Sequence, residues 1–294
     1  MQTRQVELSA ECARRPVVLD GGLATELERR GHDLSSELWS ARQLRDHPAA
    51  VVAAHRTFVA AGAEVVTSGS YQASFDELGD EAAQLLRRSV VLAREAEPRW
   101  VAASVGPYGA VLADGSEYRG DYGLSVAQLR EWHRRRLHVL ADAGADVLAV
   151  ETIPCLAEVE ALCAELDALG APAWLSISCA GTATRAGEPA TDAFAIARDC
   201  AAVFATGVNC TAPGDVAELV RSAAEVSGKP VVAYPNSGEG WDAERRAWSG
   251  SRGFPAADVT SWLDAGARLV GGCCRVSPED IAAIAVLLRH RDRD

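Results

Sequence analysis

The sequence predicts a single α/β domain folded as a (β/α)8 barrel (a TIM barrel), because eight short apolar runs alternate with eight helical segments along 294 residues. The runs are rich in Val, Ile and Ala and do not alternate with polar residues, which is typical of parallel strands buried on both faces. No linker divides the sequence, so we expect one domain over residues 1–294. A doubly wound open sheet is the alternative arrangement.

The predicted strands and helices follow one another in regular order. Glycines stop several helices just before the next strand, as at Gly62, Gly144 and Gly266. Prolines at positions 154 and 213 stand where a following helix should begin. The strands are predicted at residues 16–20, 64–70, 100–106, 147–151, 172–178, 202–210, 230–236 and 268–274, and the helices at 48–61, 81–97, 125–143, 155–169, 191–201, 213–227, 256–265 and 278–289.

The composition excludes several classes of partner. The net charge is −12 and no basic run stands out, which argues against nucleic acid and anionic membranes. There is no apolar stretch of about 18 residues to span a membrane, and residues 1–15 lack the apolar core of a signal peptide. We therefore expect a cytoplasmic protein, a monomer or small homo-oligomer, whose eight cysteines are mostly free thiols.

In such a barrel the active site lies at the carboxyl ends of the strands, and the residues absent there exclude several chemistries. The single lysine, Lys229, begins the seventh strand on the opposite face, so a Schiff-base mechanism is not expected. The six histidines fall in helices or early loops, which disfavours a histidine-bound metal. No Gly-x-Gly-x-x-Gly motif follows a strand, so a dinucleotide site is not indicated.

Thiols stand out at two strand ends. Cys210 ends the sixth strand, and the adjacent Cys273 and Cys274 end the eighth. Adjacent residues of a regular strand point to opposite faces, so the chain must bend for both to reach one ion, and Gly271 and Gly272 supply that freedom. Sulfur is the ligand that zinc prefers, and three protein ligands leave a fourth position open. The pattern predicts a catalytic zinc site, whereas the other five cysteines read as small buried hydrophobes.

An open position on such a zinc ion would admit a substrate thiol and bind it as a nucleophilic thiolate. The thiolate would attack a carbon that carries a good leaving group, as in alkyl transfer from a sulfonium or ammonium compound. A non-catalytic zinc-binding or thiol-binding barrel, such as a metal buffer or redox sensor, is the alternative from another functional class.

Seven segments, found in the same order along nearly the whole chain, resemble the zinc-dependent homocysteine S-methyltransferases, most closely the branch that uses S-methylmethionine. The paired thiol segment is the most specific of them. The segments are 20–31 (DGGLATELERRG), 38–41 (LWSA), 70–74 (SYQAS), 150–152 (VET), 207–210 (GVNC), 234–239 (YPNSGE) and 271–275 (GGCCR).

The resemblance implies zinc at Cys210, Cys273 and Cys274, with the sulfur of homocysteine as the fourth ligand. It implies methyl transfer from S-methylmethionine, or less efficiently S-adenosylmethionine, to the zinc-bound homocysteine thiolate, which gives methionine. Betaine as the donor, or another thiol or selenol as the acceptor, are the alternatives within the family. A folate-dependent methionine synthase is disfavoured, because no second barrel or cobalamin domain follows.

The remaining expected site residues bind the two small molecules. Asp20 and Glu151 offer carboxylates for the homocysteine ammonium, and the backbone N–H groups of Gly21 and Gly22 are candidates for its carboxylate. Asn236 is a candidate hydrogen-bond partner for donor or substrate. The resemblance points to Trp39 and Tyr71 for the cationic methyl donor, since aromatic faces attract cations; Tyr108, Tyr234 and Trp241 are candidates by position alone.

Overall fold

A computed structural model describes residues 2–34, 39–242, 247–249 and 256–291. Eight parallel strands form a barrel, in which each strand pairs with its neighbours in chain order. The predicted fold class is confirmed, and each strand lies within one predicted run or extends it by one or two residues. The strands are β1 (Val17–Val18), β2 (Val65–Thr67), β3 (Trp100–Val105), β4 (Val147–Ile153), β5 (Ala173–Ile177), β6 (Val203–Asn209), β7 (Val231–Tyr234) and β8 (Ala267–Val270).

The barrel closes where the first and last strands meet. Strand β1 pairs with β8 in register, with Val17 opposite Leu269. On its other side, Leu19 forms a parallel bridge to Val65 of β2. This nearly complete ring excludes the open-sheet alternative, because an open sheet would leave β1 or β2 with an unpaired edge.

Helices surround the barrel, and all eight predicted ones are present to within a few residues. None in the described part of the chain is long and apolar enough to cross a membrane. The helices are α1 (Gln2–Arg14), α2 (Leu23–Arg29), α3 (Trp39–Asp46), α4 (Pro48–Ala61), α5 (Phe75–Leu78), α6 (Glu81–Glu95), α7 (Gly109–Leu112), α8 (Val126–Asp142), α9 (Leu156–Leu169), α10 (Ala190–Asp199), α11 (Pro213–Ser227), α12 (Ala256–Ala265) and α13 (Pro278–Arg291), with a 3₁₀ turn at Ser116–Tyr118.

The N-terminal helix α1 has no counterpart among the predicted elements. Its residues Leu8 and Cys12 are buried in the same cluster as Trp100 and Trp174, which line the inside of the barrel. The helix therefore packs on the barrel rather than extending into solvent. Its charged sequence hides this role, because only two of its described side chains are fully buried.

The core has two layers. Side chains inside the barrel form one cluster, and a larger cluster lies between the strands and the outer helices. Close packing explains Gly207 in β6, since a Cβ there would lie 1.9 Å from the carbonyl oxygen of Val232. A helix stop predicted from sequence is also present: Gly62 has φ of 106° and its N–H donates to the carbonyl of Val59.

Candidate metal and substrate site

Three cysteine sulfurs lie together at the carboxyl end of the barrel. Cys210 follows β6, and Cys273 and Cys274 follow β8. The structure joins the sulfurs of Cys210 and Cys273 as a disulfide, and the Cys274 sulfur lies 3.9 Å from each of them. All three sulfurs fall within 4.8 Å of one another, so they form a group that could hold one metal ion. The structure thus brings together the three thiols that the sequence singled out.

Two of the three sulfur–sulfur distances fit a tetrahedral metal ion. Two sulfurs bound at about 2.3 Å to one tetrahedral ion lie about 3.8 Å apart, and the two Cys274 distances of 3.9 Å match that value. The Cys210–Cys273 pair must be reduced before it can bind an ion as two thiolates. The other six cysteines are free, as expected of most thiols in this chain: Cys12, Cys155, Cys163, Cys179, Cys200 and Cys274.

Backbone turns bring the thiols inward, but they do not occur at the predicted positions. Gly271 and Gly272 are not among the residues with positive φ, whereas Cys210 and Arg275 have φ of 46° and 63°. The two glycines are required for space: a Cβ at Gly272 would lie 2.1 Å from the Val276 side chain. The left-handed conformation at non-glycine residues is strained, and such strain is concentrated at functional sites.

Two buried carboxylates, Asp20 and Glu151, lie at the same end of the barrel as the thiols. Asp20 follows β1 and its Oδ2 accepts a hydrogen bond of 2.9 Å from the Thr67 N–H. Glu151, in β4, accepts a hydrogen bond from the hydroxyl of Ser104. Burial raises the pKa of Asp20 to about 8 and that of Glu151 to about 7, and the charge of Glu151 further raises the pKa of Asp20. A cation between them would relieve this repulsion.

The structure gives other roles to Gly22 and Asn236. The Gly22 N–H donates to the carbonyl of Val276 at 3.0 Å, so this group already has a partner and its expected role toward a substrate carboxylate has no support. A Cβ at Gly21 would lie 2.7 Å from both the Phe58 ring and the Val276 carbonyl, which makes glycine necessary for packing. The Oδ1 atom of Asn236 accepts a hydrogen bond of 3.2 Å from the Cys274 N–H, so this side chain holds the thiol segment in place.

The structure describes the side chains of only some of the residues predicted to bind the methyl donor. Trp39 begins α3, but its side chain lies outside the described part of the structure, as does that of Trp241. Tyr71 lies near the site: burial raises the pKa of its hydroxyl well above the usual range, and the charge of Glu151 adds to this rise. The other two candidates contact protein side chains. The Tyr108 ring packs edge-on against Tyr122 and Trp132, and the Tyr234 hydroxyl bonds Ser176 and Trp174 inside the barrel.

Asn209 is a site residue that the sequence reasoning missed. Its side-chain carbonyl accepts from the Thr152 N–H at 2.7 Å, and its amide donates to the Thr152 hydroxyl at 2.7 Å and lies 3.9 Å from the Cys273 sulfur. These bonds hold Thr152 at a φ of 63°, next to Glu151. Asn209 stands in the GVNC segment next to Cys210, but the sequence gives no sign that its side chain supports the site.

Arg136 and Tyr118 were also missed. Arg136, from α8, is fully buried and donates to the carbonyls of Gly106, Ser70 and Tyr71 at 2.9, 2.9 and 2.6 Å, which ties the ends of β2 and β3 together. Tyr118 lies in the loop after β3, and its ring lies 5.4 Å from the guanidinium of Arg185, which donates to the Cys210 carbonyl at 3.2 Å. An arginine in a charged helix gave no sequence signal. The aromatic content of the loop was visible, but not the residue that lies beside the site.

Nearly the whole chain resembles known proteins. The model of the family described as homocysteine S-methyltransferase matches residues 17–288. Homocysteine S-methyltransferase 4 of Zea mays is 45% identical over 94% of this chain and 90% of its own length. Selenocysteine Se-methyltransferase of Brassica oleracea var. italica is 42% identical over 91% and 87%.

A solved structure gives the same result. The metallated form of the homocysteine methyltransferase MmuM from Escherichia coli superposes with a TM-score of 0.83 at 39% identity, over 92% of this chain and 96% of that one. Its oxidized form is similar to the same degree, with a TM-score of 0.83. The convergent thiols, the paired buried carboxylates and these relatives lead to one conclusion: the chain belongs to the homocysteine S-methyltransferase family.

Proposed function

We propose that the protein transfers a methyl group from a sulfonium donor, S-methylmethionine or S-adenosylmethionine, to the sulfur of homocysteine, forming methionine. One observation carries the proposal: three cysteine sulfurs within 4.8 Å of one another stand beside two buried carboxylates. A thiol amino acid needs both features, one for its sulfur and one for its ammonium. A metal buffer or redox sensor would need only the first.

Cys210, Cys273 and Cys274 would hold a zinc ion. When bound, a zinc ion with three thiolate ligands accepts a substrate thiol at its fourth position and keeps it ionised at neutral pH. The match of the Cys274 distances to tetrahedral geometry supports zinc. In its absence burial raises the pKa of the Cys274 thiol to about 12, so a cation is needed to keep this ligand deprotonated.

The protein groups would orient both reactants. Asp20 and Glu151 would bind the homocysteine ammonium, which lowers the pKa of both carboxyls because the cation stabilises their charged forms. Tyr71, and Trp39 by resemblance, would face the donor. In the transfer, the homocysteine thiolate gives an electron pair to the methyl carbon, the bond from that carbon to the donor sulfur breaks, and the donor leaves as a neutral thioether.

A selenol is the second candidate acceptor. The selenocysteine methyltransferase relative is 42% identical over most of both chains, which supports tests with selenocysteine beside homocysteine. The site geometry does not distinguish a selenol from a thiol acceptor, because a selenolate and a thiolate carry the same charge and each presents one large soft atom.

The compartment, the domain assignment and the partners are also proposals. Six free cysteines support a reducing compartment such as the cytoplasm. The prediction of one domain over residues 1–294 and the open choice between a monomer and a small homo-oligomer stay predictions.

One assay tests the proposed function. Reduced, zinc-loaded protein is incubated with homocysteine and, in turn, S-methylmethionine, S-adenosylmethionine or betaine, and methionine is measured. We expect most methionine from S-methylmethionine. If methionine forms only from betaine, betaine is the donor. If no donor yields methionine or methylated selenocysteine, the result would support the alternative of a non-catalytic zinc-binding barrel.

A further inference from the structure

The hairpin that follows β5 leads into an arginine whose charge has no counter-ion. The two short strands of this hairpin, Cys179–Ala180 and Ala183–Thr184, pair at the carboxyl end of the barrel, and Arg185 follows directly. In the described part of the chain its Nε atom is buried without a hydrogen-bond partner, and no carboxylate forms an ion pair with its guanidinium. A buried donor without a partner is costly and uncommon in native proteins, so it indicates a missing acceptor.

Two contacts place this guanidinium beside the thiol site. Its Nη2 atom donates to the backbone carbonyl of Cys210 at 3.2 Å, and Cys210 is one of the three clustered thiols. Its central carbon lies 5.4 Å from the centroid of the Tyr118 ring, which is within the range of a cation–π contact. Only one N–H group of the guanidinium is used by a described residue. The others remain for a ligand that accepts two hydrogen bonds, as a carboxylate does.

The backbone around Arg185 is fixed by hydrogen bonds to neighbouring segments. The Arg185 N–H donates to the Ser178 carbonyl at 3.2 Å, and the next N–H, that of Ala186, donates to the Pro154 carbonyl at 3.0 Å. Proline 154 belongs to the loop after β4, so the hairpin is tied to the adjacent strand end. A cation carried on a fixed backbone loses less conformational freedom when it binds a ligand.

The other cations near the site already have partners among the described residues. Arg275, next to Cys274 in the chain, forms an ion pair of 2.8 Å with Glu239. Arg136 donates to three backbone carbonyls. The single lysine, Lys229, also donates to three carbonyls, at the opposite end of the barrel. Arg185 therefore has the most unused binding capacity for an anion at this site.

The proposed reaction requires such a cation. Homocysteine and S-methylmethionine are both amino acids, so each brings an α-carboxylate to a site that already holds three thiols and the carboxyls of Asp20 and Glu151. Those two carboxyls bind an ammonium and repel a carboxylate. The Gly22 N–H, which was the expected partner of the carboxylate, already donates to the Val276 carbonyl.

We propose that Arg185 binds the α-carboxylate of an amino-acid reactant beside the thiol site. The inference rests on the proposed function and adds to it a residue that selects amino acids over thiols or sulfonium ions without a carboxyl group. A planar guanidinium matches a carboxylate with two parallel hydrogen bonds, which a lysine ammonium cannot reproduce. The two reactants share this chemistry, so the experiment tests each of them separately.

The test compares three variants of the zinc-loaded protein. Arg185→Gln removes the charge, Arg185→Lys keeps it without the planar fork, and Arg198→Gln is the control, because Arg198 lies exposed on α10 and pairs with Asp199. Binding of homocysteine and of S-methylmethionine, each alone so that no turnover occurs, is measured by calorimetry. We expect at least one of them to bind about ten- to a hundredfold more weakly to Arg185→Gln, less weakly to Arg185→Lys, and within about threefold of the parent to Arg198→Gln. The ligand that is affected identifies the carboxylate that Arg185 binds.

Ligands without a carboxyl group separate direct contact from damage to the thiol site. The decarboxylated analogues are an aminopropanethiol and an aminopropyl dimethylsulfonium ion. The analogue of the affected ligand should bind to Arg185→Gln within about threefold of the parent protein, because it has no group for Arg185 to contact. Metal analysis should find the same zinc content in all four proteins.

Three results would overturn the inference. They are unchanged binding of both amino acids to Arg185→Gln, an equal loss for an amino acid and its analogue, and a parent protein that binds neither amino acid. An equal loss would show that Arg185 only supports the Cys210 segment. If the parent protein binds both amino acids but forms no methionine, the proposed function fails, while the binding comparison still decides the role of Arg185.

Discussion

The substitution Glu151→Gln should stabilise the ligand-free protein at alkaline pH while it damages substrate binding. Burial raises the pKa of Glu151 from 4.5 to about 7 in the folded protein. Because the folded state holds this proton more tightly, the contribution of Glu151 to the free energy of unfolding is fully present below about pH 4.5 and is lost as the pH rises through about 7. Glutamine has the same shape and no proton to lose.

The size of the effect follows from the two pKa values. Each pH unit between them changes the free energy of unfolding by about 1.4 kcal/mol, so the loss amounts to about 3 kcal/mol. The gap in unfolding free energy between Glu151→Gln and the parent should therefore grow by about 3 kcal/mol from pH 4.5 to pH 8. Removing this charge also lowers the pKa of Asp20, which changes the gap in the same direction.

Urea unfolding of the reduced, metal-free proteins at both pH values measures this gap. Glu160→Gln, at an exposed position of α9, is the matched control and should show no comparable growth. Calorimetry on the zinc-loaded proteins should show that Glu151→Gln weakens homocysteine binding by about 2 kcal/mol, because a charge-assisted hydrogen bond is lost. A stability gap that does not change with pH would refute the reasoning, since it would mean that Glu151 does not titrate differently in the folded and unfolded states.

Three further substitutions test the site and its supports. Cys274→Ala should abolish zinc binding, measured by metal analysis, and methionine formation. Cys179→Ala, outside the cluster, should keep both. A Cys274→Ala protein that still binds zinc and is active would contradict the thiol site. Asn209→Ala should lower zinc affinity about 10- to 100-fold in competition with a chromophoric chelator, because the bonds that orient the Cys273 region are lost; unchanged affinity would rule out that role. Arg136→Met should destabilise the protein by about 3 kcal/mol, because three buried carbonyls lose their donor, and an unchanged urea midpoint would show that water replaces the arginine.

Local sequence signals were sufficient to predict the barrel and the site residues at the ends of its strands. An apolar run followed by an amphipathic segment predicts a strand and its helix from neighbouring residues alone, and eight such units close into a barrel. Once the strand ends were placed, Cys210, Cys274 and Glu151 had to lie on one face, because all parallel strands end there. Local patterns did not predict helix α1, because the surface that buries Leu8 and Cys12 exists only after the barrel has closed.

The sequence by itself determined the barrel and the residues that end its strands, because both depend on patterns within a few residues of one another. Only the tertiary structure decided that the Gly22 N–H donates to the Val276 carbonyl, that Asn209 holds Thr152 in place, and that Arg136 donates to three buried carbonyls. These facts depend on distances between atoms far apart in the chain. The raised pKa values of Asp20 and Glu151 have the same origin, because desolvation by the folded protein causes them and no local pattern encodes it.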